Sequence, residues 1–275
     1  MVILKIIKDV VYSKRNKLHC DIYVPESDNL SPVIIQLFGG GWEEGNKDFQ
    51  IPISQSLAKE GFASVAIEYR LAPRYSFPSQ LEDIKAALKF IYENQKKYNL
   101  NPERIAIAGK SAGGTLAALS AMLLSNFNPP IRLAISFHGP MNLVKYAKYN
   151  LDNPDGPRWA EKLVHQLVGG KIEDLQKNAK EASPFHLANK KTAPILFIAS
   201  KNDLTVPYQY AEQTYKKLKK LGVPTKILIH PSNFHGDVDP VEVKKRGWPE
   251  MWNKKNPPKV MFHNEVLKFL KKYLV

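Results

Sequence analysis

The fold is decided by the segment Arg104-Ile105-Ala106-Ile107-Ala108-Gly109-Lys110-Ser111-Ala112-Gly113-Gly114. Its apolar first half predicts a buried strand over Arg104 to Ala108, and the run that follows predicts a helix over Ala112 to Ser125. A glycine-x-serine-x-glycine motif, Gly109 to Gly113, lies between them. A strand, this motif and a helix in that order are typical of a nucleophile elbow. Such a turn excludes bulky flanking residues and lifts the serine Oγ above the carboxyl ends of the sheet.

Ser111 is therefore the candidate nucleophile. The positive end of the helix that follows would favour negative charge developing at its side chain. The same residues could instead end a phosphate-binding loop, but that motif needs a glycine at the position of Arg104, inside the predicted strand. Ser111 could also be no more than a small turn residue, since the motif occurs by chance. Its place between a strand and a helix favours the nucleophile.

Short apolar strands alternate with amphipathic helices around this segment, which predicts an α/β fold with a mostly parallel sheet and helices on both faces. Two opening strands, Ile6 to Tyr12 and Leu18 to Val24, should form an antiparallel edge. Further strands are expected at Val33 to Phe38, Ala63 to Tyr69, Ile131 to Phe137, Pro194 to Ala199 and Lys226 to His230. Further helices are expected at Ile51 to Glu60, Ser79 to Tyr98, Pro207 to Leu221 and about His263 to Tyr273.

Periodicity lapses between Gly139 and Thr192, and a gap of this length inside a compact domain is usually an insertion with structure of its own. Within it, Trp159, Leu163 and Leu167 have helical spacing, which predicts a small helical cap over the edge of the sheet. We therefore expect one α/β domain over residues 1–275, with a cap-like insertion over 141–192.

The composition is that of an ordinary globular protein, with 44% hydrophobic and 24% charged residues among 275. The net charge of +14 would attract polyanions, but the lysines are scattered over helix patterns, and no basic block resembles a nucleic-acid module. The lone Cys20 cannot form an intramolecular disulfide and reads as a core residue. No signal peptide or membrane span is visible in the sequence. We expect a soluble, cytoplasmic protein without nucleic-acid or membrane partners, and we leave homo-oligomerisation open.

A second motif, Phe38-Gly39-Gly40-Gly41-Trp42, directly follows the predicted strand Val33 to Phe38. Its three glycines leave backbone N–H groups free to approach a ligand closely, as a tetrahedral oxyanion requires. A glycine-rich loop could also simply turn a corner. Its combination with the elbow favours an oxyanion hole.

With these two motifs, the chain resembles over nearly its whole length the α/β-hydrolase carboxylesterases of the hormone-sensitive-lipase-like type and the neighbouring small acetyl and feruloyl esterases. The resemblance is also carried by Glu68-Tyr69-Arg70-Leu71-Ala72-Pro73, Phe77-Pro78, Leu81-Glu82-Asp83, Asn101-Pro102-Glu103-Arg104-Ile105 and Ala182-Ser183-Pro184. It implies the α/β-hydrolase fold and a catalytic order of serine, acid and histidine.

In that order the acid follows the penultimate core strand, which implies Asp203. Capping the next helix is its alternative role. The base follows the last strand, which implies His235, in the loop beyond that strand. His230, at the strand's end, is its rival. The remaining histidines lie elsewhere in the pattern, and no partner in the acid loop is expected for them: His19, His138, His165, His186 and His263.

The resemblance further implies an oxyanion hole made by the backbone N–H groups of Gly40, Gly41 and Ala112. Trp42 and Lys110 are the candidate substrate-binding residues, and Lys110 could instead be an ordinary surface charge. No spacing of histidine, cysteine and acidic residues resembles a metal site, so we expect no metal, and we expect no cofactor.

The sequence thus predicts a serine carboxylesterase that hydrolyses short- to medium-chain acyl esters, its small-molecule partners, through an acyl-enzyme intermediate. A peptidase or amidase of the same fold and a non-catalytic small-molecule-binding relative are the alternatives. The chain departs from the family at Phe38, where a histidine is usual, and at Lys110, where an acidic or aromatic residue is more common. Its loop over 237–258 is longer than the resemblance implies.

Overall fold

The computed structural model describes residues 4–149, 159–231, 235 and 258–275. Within these residues, eight strands form one sheet in the order β1-β2-β4-β3-β5-β6-β7-β8. The strands are β1 (Leu4–Ser13), β2 (Leu18–Pro25), β3 (Ser31–Leu37), β4 (Ala63–Ile67), β5 (Leu100–Lys110), β6 (Ile131–Phe137), β7 (Ile195–Ser200) and β8 (Thr225–His230). Strands β1, β2 and β4 pair antiparallel, and all other pairs are parallel. The predicted α/β sheet with an antiparallel amino-terminal edge is confirmed.

The helices that the structure describes cover both faces of this sheet. They are α1 (Ile51–Lys59), α2 (Ser79–Glu93), α3 (Gln95–Tyr98), α4 (Ala112–Leu123), α5 (Leu143–Ala147), α6 (Trp159–Val168), α7 (Leu175–Glu181), α8 (Pro184–Leu187), α9 (Tyr208–Lys220) and α10 (Pro258–Leu274). Among the described parts of the chain, no helix is both long enough and apolar enough to cross a lipid bilayer.

Strand β5 shows why the sheet needs cover on both sides. Its Ile105 and Ile107 face the core that packs under α2, α4 and α9, whereas Ala106 and Ala108 face the core under α1 and α10. All four side chains are buried. A central parallel strand is therefore apolar throughout rather than alternating, as its sequence is. Cys20 is a free, buried residue of the first core, as predicted, and burial raises the pKa of its thiol.

Three elements differ from the sequence prediction by four residues or more. Strand β5 begins at Leu100 instead of Arg104. The helix expected over Ser79 to Tyr98 is interrupted at Asn94, whose backbone leaves the helical region at φ −112° and ψ 16°. The Asn94 side chain donates a hydrogen bond to the Phe90 carbonyl at 2.9 Å, competing with the helical pattern. The terminal helix begins at Pro258, earlier than expected.

The glycine loop after β3 is anchored at its far end by a buried ion pair. Lys47, in a short 3₁₀ helix just beyond the loop, lies 3.1 Å from Asp21 Oδ1 on β2 and 2.7 Å from Asp9 Oδ1. Asp21 is fully buried and also accepts a hydrogen bond from Lys8 at 2.6 Å. Burial would raise the pKa of Asp21, but hydrogen bonds from Lys8, the Asp9 amide and Lys47 outweigh it and lower the pKa.

We expect Asp21→Asn to lower the free energy of unfolding by about 2–3 kcal/mol, because it leaves the Lys47 ammonium nearly buried with a weakened set of partners. Since the pKa of Asp21 is lower in the folded than in the unfolded chain, this contribution is present at neutral pH. It is lost as the pH falls from about 4 toward the folded value. Urea unfolding at several pH values measures both effects.

The matched control is Asp48→Asn, which removes the exposed carboxylate 3.6 Å from the same lysine. Its expected cost is below about 0.5 kcal/mol. Equal losses for the two variants would contradict the role given to the buried pair.

Candidate active site

Ser111 sits in the turn between β5 and α4 with φ 54° and ψ −120°, a strained conformation for a residue with a side chain. Its backbone N–H donates to the Phe137 carbonyl at 2.7 Å, which ties the turn to β6. A Cβ added to Gly109 would lie 2.3 Å from the Gly113 carbonyl oxygen, and one added to Gly113 would lie 2.4 Å from that of Leu37. Both glycines are therefore required by close backbone contact, as the sequence motif predicts.

The glycine loop packs directly against this turn. A Cβ on Gly39 would lie 3.2 Å from the Ser111 Cβ. Gly40 and Gly41 have φ values of 121° and 60°, which favour glycine. A Cβ on Gly41 would lie 2.9 Å from a methyl carbon of Leu163, so helix α6 closes over the loop from the other side.

Trp42 connects the loop to the nucleophile turn. Its side chain is almost completely buried, and its indole N–H donates to the Ala112 carbonyl at 3.1 Å. Trp42 also accepts, at its own carbonyl, a hydrogen bond from the Ala72 amide at 2.9 Å. The sequence assigned Trp42 to substrate binding, and the structure places it in the cavity wall, with its polar edge used inside the protein.

Phe38 holds the start of the loop by packing. Its ring stacks on Tyr69 with centroids 4.1 Å apart and an interplanar angle of 10°. The Tyr69 hydroxyl donates to the Phe38 carbonyl at 2.9 Å. An apolar ring thus occupies the position at which the resembling family carries a histidine, and a neighbouring tyrosine supplies a hydrogen bond to its backbone.

Asp203 follows β7, and its side chain is 1% exposed. Oδ1 accepts hydrogen bonds from the amides of Thr205 and Val206 at 2.8 and 2.9 Å, and Oδ2 accepts one from His235 Nδ1 at 2.8 Å. Burial would raise the pKa of this carboxyl, but hydrogen bonds from His138 and His235 outweigh it and hold the pKa well below its usual range. The Asp203 carboxylate therefore stays ionised at neutral pH.

The expectation that His138 lacks a partner in the acid loop is wrong. His138 Nδ1 lies 3.1 Å from Asp203 Oδ2, the oxygen that also binds His235. His138 is the residue directly after β6, and β6 and β7 are neighbouring parallel strands. Because the carboxyl ends of such strands meet at one edge, its place at the end of the predicted strand was a signal that could have found it.

His235 lines the cavity that Ser111 also lines, and the other nitrogen of its ring, Nε2, makes no hydrogen bond to Ser111. Nε2 is buried and has no hydrogen-bond partner among the described residues. Ser111 and His235 line the same cavity, and His230 is not among its described lining residues. His230 instead ends β8, where burial and nearby His138 lower its pKa to about 4. The structure thus brings Asp203 and His235 together at the cavity of Ser111.

This cavity has a volume of about 330 Å³. The residues that the sequence analysis singled out for catalysis are among those that line it: Gly40, Gly41, Ser111, Ala112 and His235, with Gly39 beside them. Tyr146, Trp159 and Leu163, from the segment between β6 and β7, form an apolar wall in which the rings of Tyr146 and Trp159 meet edge to face at 5.8 Å. The other described lining residues are both polar and apolar: Trp42, Glu43, Glu44, Phe49, Gln50, Lys110, Pro140 and Thr205.

His138, Asp203 and His235 are also residue types that can bind zinc. One ligand atom from each lies within 4.8 Å of the others. The two Nδ1 hydrogen bonds to Asp203 Oδ2 account for this proximity, and a metal ion bound there would displace both. The loop over 237–258, whose role the sequence left open, lies outside the described residues except for its last position.

The fold is that of α/β-hydrolase esterases, as predicted. The structure is similar to the acetyl ester-xyloside bifunctional hydrolase of Caldicellulosiruptor lactoaceticus, with a TM-score of 0.71 at 24% identity over 92% of this chain and 89% of that one. It is similar to a truncated carbohydrate esterase from gut microbiota, with a TM-score of 0.78 at 21% identity over 98% and 96%.

The chain belongs to the BD-FAE family, whose model matches residues 20–218. A relative from Mycobacterium tuberculosis, the probable carboxylic ester hydrolase LipM, is 29% identical over 227 residues. These are 78% of this chain and 52% of that protein, so the chain spans about half the length of this relative.

We expect Gly113→Ala to lower the free energy of unfolding by about 3 kcal/mol, because the new methyl group would press on the carbonyls of Leu37 and Phe38. Helix propensity alone predicts the opposite sign, a gain of about 1 kcal/mol in α4. The control is Gly222→Ala, where φ is 77° but the added Cβ would have no atom within 4 Å from the described residues outside its chain neighbours. Its cost should be about 1 kcal/mol. Chemical unfolding measures the free energy of unfolding of both variants. A loss for Gly113→Ala no larger than that for Gly222→Ala would refute the contact argument.

Proposed function

We propose that the chain is a serine carboxylesterase that hydrolyses short- to medium-chain acyl esters through an acyl-enzyme intermediate. The observation that carries this proposal is the meeting, at one cavity, of a strained serine, a histidine bonded to a buried carboxylate, and a glycine-rich loop. The names of the family's relatives favour an ester as the substrate.

In the proposed first step, the Ser111 oxygen attacks the ester carbonyl while His235 Nε2 takes the hydroxyl proton. The hydrogen bond from Nδ1 to Asp203 supports this role, because it puts the ring's own proton on Nδ1 and leaves a lone pair on Nε2. Asp203 remains ionised and stabilises the imidazolium that forms.

Negative charge then collects on the former carbonyl oxygen. We assign its stabilisation to the backbone N–H groups of Gly40, Gly41 and Ala112, which border the cavity beside Ser111. The contacts of Trp42 with Ala112 and of Leu163 against Gly41 fix these donors before substrate arrives. Each such donor typically contributes about 100- to 1,000-fold in rate.

His235 next protonates the departing alcohol, and a water molecule activated by the same ring hydrolyses the acyl-enzyme. We propose that the insertion over 141–192 acts as a cap that supplies the apolar wall for the acyl group. A cavity of about 330 Å³ suits short or medium chains. Lys110 also lines the cavity, and we propose it as a contact for an anionic group of the substrate. Trp42 contributes to the cavity wall.

We expect Ser111→Ala to reduce kcat for p-nitrophenyl acetate by at least about 10⁴-fold, since the nucleophile is lost while the fold is kept. Ser120→Ala, on the same helix, is the control. Its hydroxyl bonds only the Leu116 carbonyl of that helix among described residues, so activity should stay within about twofold. Rates on a panel of esters with acyl chains from acetate to decanoate, and on the matched amides, assign the substrate class. Unchanged hydrolysis by Ser111→Ala would contradict the proposal. A preference of the wild-type chain for amides would favour the amidase alternative instead.

Between about pH 5 and 8, we expect kcat/KM to rise with pH, because only neutral imidazole accepts the serine proton. Ionisation of the Asp203 carboxyl adds no second pH-dependent step in this range, since its pKa lies well below its usual range. His165→Gln, which alters a ring bonded to the Gly170 carbonyl, should leave the profile unchanged. A profile that is flat over this range would exclude His235 as the base.

A further inference from the structure

The Asp203 carboxylate receives more donors than the proposed mechanism requires. Oδ2 accepts hydrogen bonds from two imidazole rings, His235 at 2.8 Å and His138 at 3.1 Å. A serine, histidine and acid relay uses only the first of these. The second comes from a side chain with 1% exposure, directly beside the reacting groups.

We propose that His138 is a positioning residue that donates from Nδ1 to Asp203 Oδ2 and thereby fixes the carboxylate that orients His235. This inference rests on the proposed function, because it assigns His138 a role in the same reaction. His138 itself contacts neither the substrate nor the reacting atoms.

The hydrogen bonds define which nitrogen of His138 carries its proton. An ionised carboxylate only accepts, so Nδ1 must be the donor. Nε2 is buried without a hydrogen-bond partner among the described residues, and a second proton there would be left unsatisfied. Burial also lowers the pKa of His138. His138 is thus a neutral, fixed donor and takes no part in proton transfer.

Backbone contacts hold His138 in place. Its φ is 53°, and its amide donates to the Ile198 carbonyl of β7 at 2.8 Å. Its ring meets that of His235 at 69°, with centroids 5.5 Å apart. With the amides of Thr205 and Val206 on Oδ1, both carboxylate oxygens carry two donors, so the group cannot rotate without breaking several bonds.

Among the described residues, the other titratable groups that act on this cluster are Lys110, His230, Tyr146 and Tyr149. Burial, with the charge of Lys110 at the end of β5, lowers the pKa of His138. Burial also lowers the pKa of His230, at the end of β8, to about 4, so this ring is neutral at pH 5 and above. Tyr146 and Tyr149 also feel the Asp203 charge, and burial raises the pKa of both hydroxyls, so they stay neutral. A shift in the pH dependence of kcat/KM therefore reports on the cluster of His138, Asp203 and His235.

Loss of the His138 donor should have two effects. Oδ2 becomes a stronger acceptor for His235, and the stronger hydrogen bond favours the imidazolium form of that ring. The midpoint of the pH dependence of kcat/KM therefore moves up by about 0.5–1 pH unit. The freed carboxylate also holds the ring less firmly, so kcat falls by about tenfold. KM changes little, because His138 is not among the described residues that line the cavity.

A crossed pair of variants separates the donor from the ring. His138→Asn keeps an N–H donor near the position of Nδ1 and tolerates a positive φ, but removes the ring. His138→Phe keeps the ring's bulk and removes the donor. We expect the asparagine variant to retain the wild-type midpoint, with kcat within about threefold, and the phenylalanine variant to show both the shift and the loss.

If His138 acted only by packing, His138→Phe would lie nearer to the wild type than His138→Asn in both midpoint and kcat. That result would overturn the inference. An unchanged midpoint in both variants would overturn it as well. Thermal unfolding of the two proteins checks that they are folded.

Histidine ¹⁵N NMR of the wild-type chain gives a readout that needs neither a variant nor catalysis. We expect His138 to carry its proton on Nδ1 from pH 5 to 8, with Nε2 unprotonated. A proton on Nε2 instead, or protonation of both nitrogens within this range, would overturn the inference even if the esterase proposal holds. Loss of the esterase proposal through Ser111→Ala would leave this NMR result standing, so the two failures are distinguishable.

Discussion

One buried carboxylate joins the ends of neighbouring strands. Asp203 follows β7, and it binds His138 at the end of β6 and His235 beyond β8. Burial of a charge is costly unless it is fully hydrogen-bonded, and the four donors around Asp203 meet that condition. The direction of the His235 ring, and with it the geometry toward Ser111, depends on this arrangement. The parallel sheet makes it possible, because it brings the carboxyl ends of its strands to one edge.

The glycine loop is held from several sides. Trp42 ties it to the turn at Ser111, Leu163 of α6 covers it from the other side, and Lys47 anchors its far end in a buried ion pair. In the proposed mechanism, donors fixed in this way need not reorganise as charge develops, which is the basis of stabilising an oxyanion by backbone amides. The stacking of Phe38 on Tyr69 shows that packing can brace such a loop where the resembling family uses a histidine.

Local patterns carried much of the prediction. The positions of the strands along the chain, the elbow glycines and the buried strand around Ile105 follow from sterics and periodicity that neighbouring residues determine. Asp203 and His235 came from the family resemblance, not from spacing. His138 and the hydrogen bond from Trp42 to Ala112 were missed, because each depends on which distant segments meet across the sheet edge. The interruption at Asn94 was also missed, since a side-chain bond to the Phe90 carbonyl is not visible in an apolar stripe.

Covalent labelling tests the central claim most directly, because an activated serine is required for it. The chain would be treated with a p-nitrophenyl phosphonate ester, and the adduct would be located by peptide mass spectrometry. The account predicts one adduct, on the Ser111 oxygen, with labelling slowed at least about 100-fold in His235→Ala. Labelling of another residue, or an equal rate without the imidazole, would contradict it.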